Sequence, residues 1–576
     1  MDVSPYLDLK PAPRFIFDAL AERMDRPRFM VPKGDAWTPI TFGEYAQAIR
    51  EVALYLHTDG LSPQGRVALF APNRYEWAVA AQAAQAAGGV MVPIYPSNTA
   101  SQAAYIVDHC DAEVVIVDTQ PLLERVVEGW AAYDRVRRLI CMSDDLDVAA
   151  AIASVKAKGK PVPDAAALDR CCVSWSTVVR QGRTVQAEDP QRFEALLDAV
   201  TLEQHGVMLY TSGTTGHPKG VPLTHRNFAV NHRDWIEVLG PLIAEHSTDV
   251  LWLPMSHMFG YGETFIGNAL GWTSYLSSPQ QALGLMQTVH PTAFMSVPAY
   301  WEKLAKTALK QSSLQERKAK LAEATGGNLT FCLSGGAGLK QQVKELFKEC
   351  GILIIEGYGL TETSPTLTMN RPDDYRFDTV GKPFPSVDLK LAEDGEILAR
   401  GPSVFMGYHK DPVATQGAFT PDGWFKTGDV GQWTEDGFLK IVDRKKDILV
   451  TAGGKNVPPA NIELRFRDDA LIEHLVVFGD GQKFLTAGVW LNEQAVETMM
   501  QARAVPLAAR QAALVAEVQA RINAVNEDLA HHEQLKKFQI VSQPLTVESG
   551  LITPTLKVRR KRVYDAFRSE LEALYA

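Results

Sequence analysis

The sequence predicts an α/β protein. A large, multi-subdomain N-terminal part carries α/β sheets and a small β-barrel-like unit, and a small α+β unit follows at the C-terminus. Three observations carry this reading. The chain has 576 residues, and a single hydrophobic core stops growing near roughly 250–300 residues, so several structural units are required. From Arg66 onward short β-rich runs alternate with Ala-rich helical stretches, the pattern of parallel βαβ units. From Val380 that texture gives way to short β pieces and Asp-Gly turns.

The βαβ pattern begins with "RVALFAPNRYEWAVAAQAAQAAGGVMVPIYPSNTASQAAYIVDHCDAEVVIVD", where strands are expected at 67–70, 90–93 and 114–117 and helices after Asn73 and Thr99. From 143 to about 200 the pattern loosens into Asp, Ala, Lys and Pro, and an irregular or inserted region is expected. Further strands are expected at 251–253, 293–297, 329–333 and 353–356. In open α/β sheets chemistry sits beyond the carboxyl ends of strands, which singles out the polar segments "SGGAGL" (334–339) and "GYGLTET" (357–363). Asp394-Gly395, Asp422-Gly423 and Asp436-Gly437 mark hairpins, and the charged stretch 443–447 reads as a linker. Beyond it, strands near 475–478 and 487–491, an Ala-rich helix over 507–529 and the basic "KVRRKR" at 557–562 make a compact α+β unit of about 130 residues.

Composition narrows the function classes. With 46% hydrophobic and 22% charged residues the chain is neither disordered, collagen-like nor coiled coil over any large part. A net charge of −10 supplies no overall basic field for nucleic acid, so no nucleic-acid partner is expected. No apolar run approaches the roughly 18 residues of a membrane span, and "MDVSPYLDLKPAPRFIFDAL" lacks a basic n-region followed by an apolar one. The chain is read as cytoplasmic, with peripheral contact at the inner face of the membrane left open. The six cysteines form no CxxC pair and have no histidine beside them at metal-ligand spacing, so neither a disulfide framework nor structural zinc is expected.

The densest chemical signal is "YTSGTTGHPKGVPLTH", Tyr210 to His225. Glycines in a loop cost conformational entropy on folding, and such a cluster points to close approach of backbone to a ligand. A Walker A loop places Gly-Lys-Ser/Thr at the end and a helix after it, whereas here Pro218 stands in place of the second glycine and a strand-like segment follows. The physics of phosphate binding still applies. Thr211, Ser212, Thr214 and Thr215 offer hydroxyls, Gly213 and Gly216 let amides approach, and Lys219 adds a positive charge.

This loop resembles the signature of the adenylate-forming superfamily, which includes acyl-CoA synthetases, aryl-CoA ligases, peptide-synthetase adenylation domains and luciferases. "GYGLTETSP", "WFKTGD", "DRKKD" and "TPTLKVRRK" follow in the superfamily's order, and the resemblance spans about Pro39 to the C-terminus. The stretch from Asp422 to Pro459 is most similar to the long-chain acyl-CoA synthetase branch. The resemblance implies an N-terminal AMP- and acyl-binding domain over 1–445 and a mobile lid over 446–576, with the hinge at Lys446. It also implies ATP, Mg2+ and CoA as cofactor and cosubstrates.

Roles carry over residue by residue. Thr211, Lys219, Glu362 and Lys557 are the implied catalytic set, with Glu362 and Thr211 also at the metal. The 211–219 loop is implied for phosphate, Tyr358 between Gly357 and Gly359 for adenine, Thr361 for phosphate, and Asp429 with Arg444 for ribose. Gly335, Gly336 and Ala337 offer small residues beside the adenine face and acyl group; Gly338 departs from the proline many relatives have there. His257 and Tyr261 are implied at the acyl substrate, whose pocket is expected among 252–261, 297–304 and 334–338. Gly453 and Gly454 are implied on the CoA side. The implied activity is AMP-forming activation of a medium- or long-chain fatty acid followed by transfer to CoA. Loading of a carrier protein and a noncatalytic nucleotide-binding role stay open, as do chain length and oligomeric state.

Overall fold

The computed structural model describes residues 2–211, 217–467, 469–546, 549–552 and 558–576. The chain divides into two compact units, one of Met1–Leu389, Ala399–Phe425 and Trp433–Lys440, the other of Lys390–Leu398, Lys426–Gln432 and Ile441–Ala576.

Two sheets organise the first unit. A seven-stranded sheet runs in the order Cys172–Ser174, Arg138–Cys141, Ala112–Val117, Arg66–Phe70, Val90–Ile94, His205–Thr211, Lys219–Thr224, with every neighbouring pair parallel except the last. Its central strands are continuous apolar runs because helices cover both faces. Helix Tyr75–Ala86 is almost entirely buried, and its alanines leave little bulk between it and its neighbours. The expected strands at 67–70, 90–93 and 114–117 and both helices are present.

A nine-stranded sheet runs Lys382–Pro383, Thr366–Met369, Ile354–Gly359, Phe331–Ser334, Ala293–Ser296, Thr248–Leu251, Thr273–Leu276, Pro27–Lys33, Ala36–Thr41. Its interior is parallel and its edges antiparallel. The segment "GYG" is not a loop after the strand, as expected, but its last three residues. Glycine is what permits this, since a Cβ at Gly359 would stand 1.7 Å from the Pro365 carbonyl oxygen.

The region 143–200 is not irregular. It forms helices Val148–Ala157, Ala165–Cys171, Trp175–Glu188 and Arg192–Ala199, and the edge strand Cys172–Ser174. Helix Trp175–Glu188 packs on helix Phe42–Thr58 through Gly182, where a Cβ would stand 1.8 Å from the Glu51 carbonyl oxygen. Gln47 Nε2 to Gln186 at 2.7 Å and Arg183 to Glu51 at 2.7 Å complete this crossing. A glycine inside a polar helix reads as a breaker in sequence, yet here it is the point of closest approach.

The Asp-Gly turns are hairpins or tight turns, with Gly395, Gly423 and Gly437 at φ +82°, +84° and +82°. Gly395 joins strands Asp388–Leu391 and Glu396–Arg400 and Gly437 joins Phe425–Trp433 and Leu439–Arg444 in a four-stranded sheet, while Gly423 turns the chain between Phe419 and Phe425. In the second unit, strands Ile472–Phe478 and Leu485–Leu491 are antiparallel, and Leu535–Ile540 adds a parallel third. Helix Arg510–Glu527 covers this sheet through Val518 and Ile522.

Candidate active site

The signature loop sits on a hairpin of the seven-stranded sheet. Strands His205–Thr211 and Lys219–Thr224 pair with Tyr210 opposite Gly220 and Thr211 opposite Lys219. Thr211 and Lys219 therefore face each other where the loop leaves the sheet; Ser212, Gly213, Thr214, Thr215 and Gly216 lie outside the described residues. Aromatic groups brace the hairpin. His217 stacks on Tyr105 with centroids 4.5 Å apart, and the Tyr210 hydroxyl lies 2.8 Å from His109 Nδ1. Burial raises the Tyr210 phenol pKa and, with Lys410 nearby, lowers that of His109, so both are neutral near pH 7.

Glu362 stands on a short 3-10 turn, Thr361–Thr363, that follows strand Ile354–Gly359. The Tyr408 hydroxyl donates to Glu362 Oε1 at 3.0 Å, and the Lys219 ammonium lies 4.6 Å from the centroid of the same ring. Tyr408 is held there by its own loop. Phe405 N–H donates to the Glu362 carbonyl, His409 N–H to the Gly220 carbonyl, both at 2.9 Å, and Asn227 Nδ2 to Pro402 O at 2.7 Å. One aromatic side chain thus contacts a cation on one strand and a carboxylate on another element.

Strand Phe331–Ser334 is parallel to Ile354–Gly359, with Ser334 opposite Glu356. This places Gly335, Gly336 and Ala337 beside Gly357 and Tyr358 at the carboxyl ends of two adjacent strands. Glu356 secures the turn, accepting from Leu339 N–H at 2.7 Å and from Lys344 Nζ. Burial raises its pKa against the pull of the Lys344 ammonium. Gly336 has φ +85°, and the Phe259 ring lies 3.0 Å from where a Gly335 Cβ would be, so this turn admits little but glycine.

His257 caps helix Met258–Leu270, its Nδ1 accepting from Phe259 N–H at 3.1 Å. The neutral ring then carries its proton on Nε2. Tyr261 is buried and its hydroxyl accepts from Gln85 Nε2 at 2.7 Å. A small cavity of about 40 Å³ lies between helices His225–Leu239 and Met258–Leu270 and the Ser364-Pro365 step. Of the segments expected around the acyl group only 252–261 contributes to it, through Met258 and Phe259; Tyr261, 297–304 and 334–338 do not border it.

In the second unit Asp429 is buried and Arg444 Nε pairs with its Oδ1 at 2.7 Å. The two motifs that carry them are tied together, since Lys445 N–H donates to Gly428 O at 2.8 Å and Glu396 accepts from Gly428 N–H at 3.0 Å and Lys445 Nζ at 2.8 Å. Lys446 follows in an exposed turn. Gly453 and Gly454 form the tip between short strands Leu449–Val450 and Asn456–Val457, with Gly454 at φ +72°. Lys557 lies outside the described residues.

Tyr408 is the site residue that sequence reasoning missed. Its surroundings, "FMGYHKDP", have no period, and only the Gly-Tyr step in a polar loop hinted at it.

Comparison with known proteins decides the family. A family model described as AMP-binding enzyme matches residues 16–409, and one described as AMP-binding enzyme C-terminal domain matches residues 446–576. The chain belongs to the AMP-binding enzyme family. This AMP-binding enzyme lies in the long-chain acyl-CoA synthetase branch. It is similar to the long-chain-fatty-acid–CoA ligase FadD15 of Mycobacterium bovis, at 33% identity over 94% of this chain and 92% of that protein. It is also similar to the long-chain-fatty-acid–CoA ligase ACSBG2 of Xenopus laevis, at 25% identity over 94% of this chain and 80% of that one. In fold it matches the adenylation domain of a carboxylate reductase from Mycobacterium chelonae, with a TM-score of 0.80, 20% identity, and coverage of 100% and 92%. It also matches an anthranilate CoA ligase solved with anthranoyl-AMP, with a TM-score of 0.77, 21% identity, and coverage of 99% of each chain.

Proposed function

We propose that this AMP-binding enzyme is a fatty acid:CoA ligase that activates a medium- or long-chain fatty acid with ATP and passes the acyl group to CoA. The observation that carries the reading is the approach of Lys219 and Glu362 to one tyrosine, Tyr408, beside the mouth of the signature hairpin. That is a cation and an anion held in place where a polyphosphate and its counterion need both. The fatty-acid–CoA ligases among its relatives supply the substrate class.

In the first half-reaction a carboxylate oxygen attacks the α-phosphorus of ATP and the bond to pyrophosphate breaks. Thr211, the 212–216 loop and Lys219 hold the β- and γ-phosphates, Tyr358 lies on the adenine, Thr361 contacts phosphate, and Asp429 with Arg444 takes the ribose. The protonated Nε2 of His257 orients the carboxylate. Lys557 neutralises charge as it builds on the α-phosphate. In the second half-reaction the thiol sulfur of CoA attacks the acyl carbon, the thiol proton is lost, and AMP leaves. The C-terminal domain, 446–576, turns about Lys446 between the two, and Gly453 and Gly454 leave room for the pantetheine arm.

Glu362 suits Mg2+. Among the described residues no group of three or more ligating side chains surrounds a metal position, and Mg2+ commonly takes one or two carboxylates and fills its shell with water and substrate phosphates. A single carboxylate oriented by Tyr408, with Thr211 as hydroxyl partner, meets that need. Glu362 and Thr211 would hold the ion, and its charge would offset that of the leaving pyrophosphate. No helix among the described residues is long and apolar enough to cross a membrane. A cytoplasmic place, with peripheral membrane contact open, completes the proposal.

The test is AMP release from ATP and Mg2+ across carboxylates from acetate to long-chain and aromatic acids, with and without CoA. CoA-dependent AMP and thioester formation with fatty acids is expected. Adenylate formation indifferent to CoA would instead assign a carrier-protein acceptor, and silence across the panel would overturn the ligase reading.

A further inference from the structure

The cavity beside the Ser364-Pro365 step is apolar over most of its wall, with Phe228, Phe259, Phe265 and Met295 among its lining. Two polar side chains break that pattern. His232 and Ser364 both border the cavity, and both are buried, at 6% and 1% exposure. His232 Nε2 and Ser364 Oγ have no hydrogen-bond partner, whereas the other polar groups on the same wall are engaged. Asn231 Nδ2 donates to Thr366 O at 2.7 Å and Trp235 Nε1 to Thr366 Oγ1 at 2.9 Å.

Unpartnered buried polar atoms are uncommon in native proteins and call for an explanation. Packing accounts for the His232 ring, which meets Phe15 and Phe265 edge-on at 5.0 and 4.7 Å, but not for its nitrogen. Nor does packing account for a serine at this place, where alanine would fill nearly the same volume without a hydroxyl. Burial keeps the imidazole neutral, so one ring nitrogen donates and the other accepts. A hydroxyl both donates and accepts, so it satisfies the Ser364 hydroxyl and either tautomer of His232. The cavity's position also matters: Ser364 follows Glu362 by two residues, and Phe259 follows His257 by two. Its lining thus includes residues two positions along the chain from each of the two residues assigned to the reacting end.

Resting on the ligase reading, we infer that His232 and Ser364 are specificity-determining residues for an oxygen-substituted acyl chain, with a hydroxyl-bearing fatty acid as the preferred substrate. A site built to hydrogen-bond a substrate hydroxyl discriminates against the analogue lacking it, because its buried polar groups are then left unpaired.

The experiment compares kcat/KM for CoA-dependent AMP release with dodecanoic acid and with twelve-carbon acids bearing a hydroxyl at position two, position three or the chain end, plus a three-oxo acid. The wild-type enzyme is expected to favour one hydroxy acid over dodecanoic acid by about tenfold or more, close to 1.4 kcal/mol. Ser364→Ala and His232→Phe should each bring that ratio toward one, with His232→Gln retaining part of it. Because the readout is a ratio within each variant, a general loss of activity does not imitate the result, and the wild-type preference stands as a test even where a variant fails to fold. A three-oxo acid preferred over every hydroxy acid would overturn the hydroxyl assignment. Equal use of substituted and plain acids by the wild type, or a preference that survives both substitutions, would overturn the inference and leave the ligase reading intact; those orphaned atoms would then hold water. Silence with every acid would overturn both.

Discussion

The Tyr408 hydroxyl donates to Glu362 Oε1 at 3.0 Å. The same ring faces the Lys219 ammonium at 4.6 Å. Tyr408→Phe keeps the ring and the cation contact but frees one carboxylate oxygen from its orientation. Carboxylate-dependent ATP–pyrophosphate exchange is expected to fall about tenfold, with a higher Mg2+ requirement and little change in the thermal midpoint. Exchange at the wild-type rate would remove Tyr408 from the site.

Lys557→Ala separates the two half-reactions. A lysine that neutralises the α-phosphate acts only while the acyl-AMP is made. The variant should lose carboxylate-dependent adenylation by several orders of magnitude yet convert preformed acyl-AMP and CoA to thioester at near the normal rate. Equal loss of both halves would refute the assignment.

The hinge is tested at Lys446. Asp447 and Ile448 N–H groups both donate to the Arg444 carbonyl, so the chain turns tightly here. Proline at 446 fixes φ near −65° and restricts the residue before it. Thioester formation from acyl-AMP should slow more than adenylation, by about tenfold, measured in separate single-turnover assays. Unchanged CoA-dependent turnover would eliminate the pivot.

Two buried histidines, His225 and His232, and the half-buried His409 make stability pH-dependent. Burial lowers His225 and His409 to about 4 and His232 to about 3, with His205 adding to the effect on His225, and Arg66, His109 and Lys410 on His409. The unfolded chain takes up these protons near pH 6.5, so between the two values it binds more protons than the folded one, and stability falls as pH drops from about 6.5 toward 4. The Asp249 carboxyl, which burial pushes up to about 6, gains a proton in the folded state over part of that range and offsets some of the slope. Urea midpoints should decline between pH 7 and 5, and His225→Asn should flatten the decline. An identical slope in the variant would contradict this origin.

Gly182 tests the helix crossing. A Cβ there would stand 1.8 Å from the Glu51 carbonyl oxygen, so Gly182→Ala should destabilise the fold by about 2–3 kcal/mol. Gly284, in helix Ala282–Val289 with nothing within 4 Å of its Cβ position, is the control. Gly284→Ala should stabilise by up to about 1 kcal/mol, read from the same denaturant curves.

The amino-acid sequence alone determined the parts whose physics is local. The βαβ strands at 66–117 were legible because strands buried on both faces must be continuous apolar runs, and the turns at Gly395, Gly423 and Gly437 because Asp-Gly favours the positive φ they adopt. The ordered motifs likewise pointed to the family, since phosphate loops and carboxylates are written as contiguous residues. Tertiary structure decided what depends on distant segments meeting. It set Tyr408 between Lys219 and Glu362, which lie 189 and 46 positions away in the chain. It packed helix Trp175–Glu188 of the 143–200 region onto helix Phe42–Thr58 at a glycine contact with Glu51, and it set Tyr261 against Gln85 while placing His232 and Ser364 on the wall of a cavity. Each of these is settled by packing between elements far apart in sequence, where neither periodicity nor spacing records which side chains will touch.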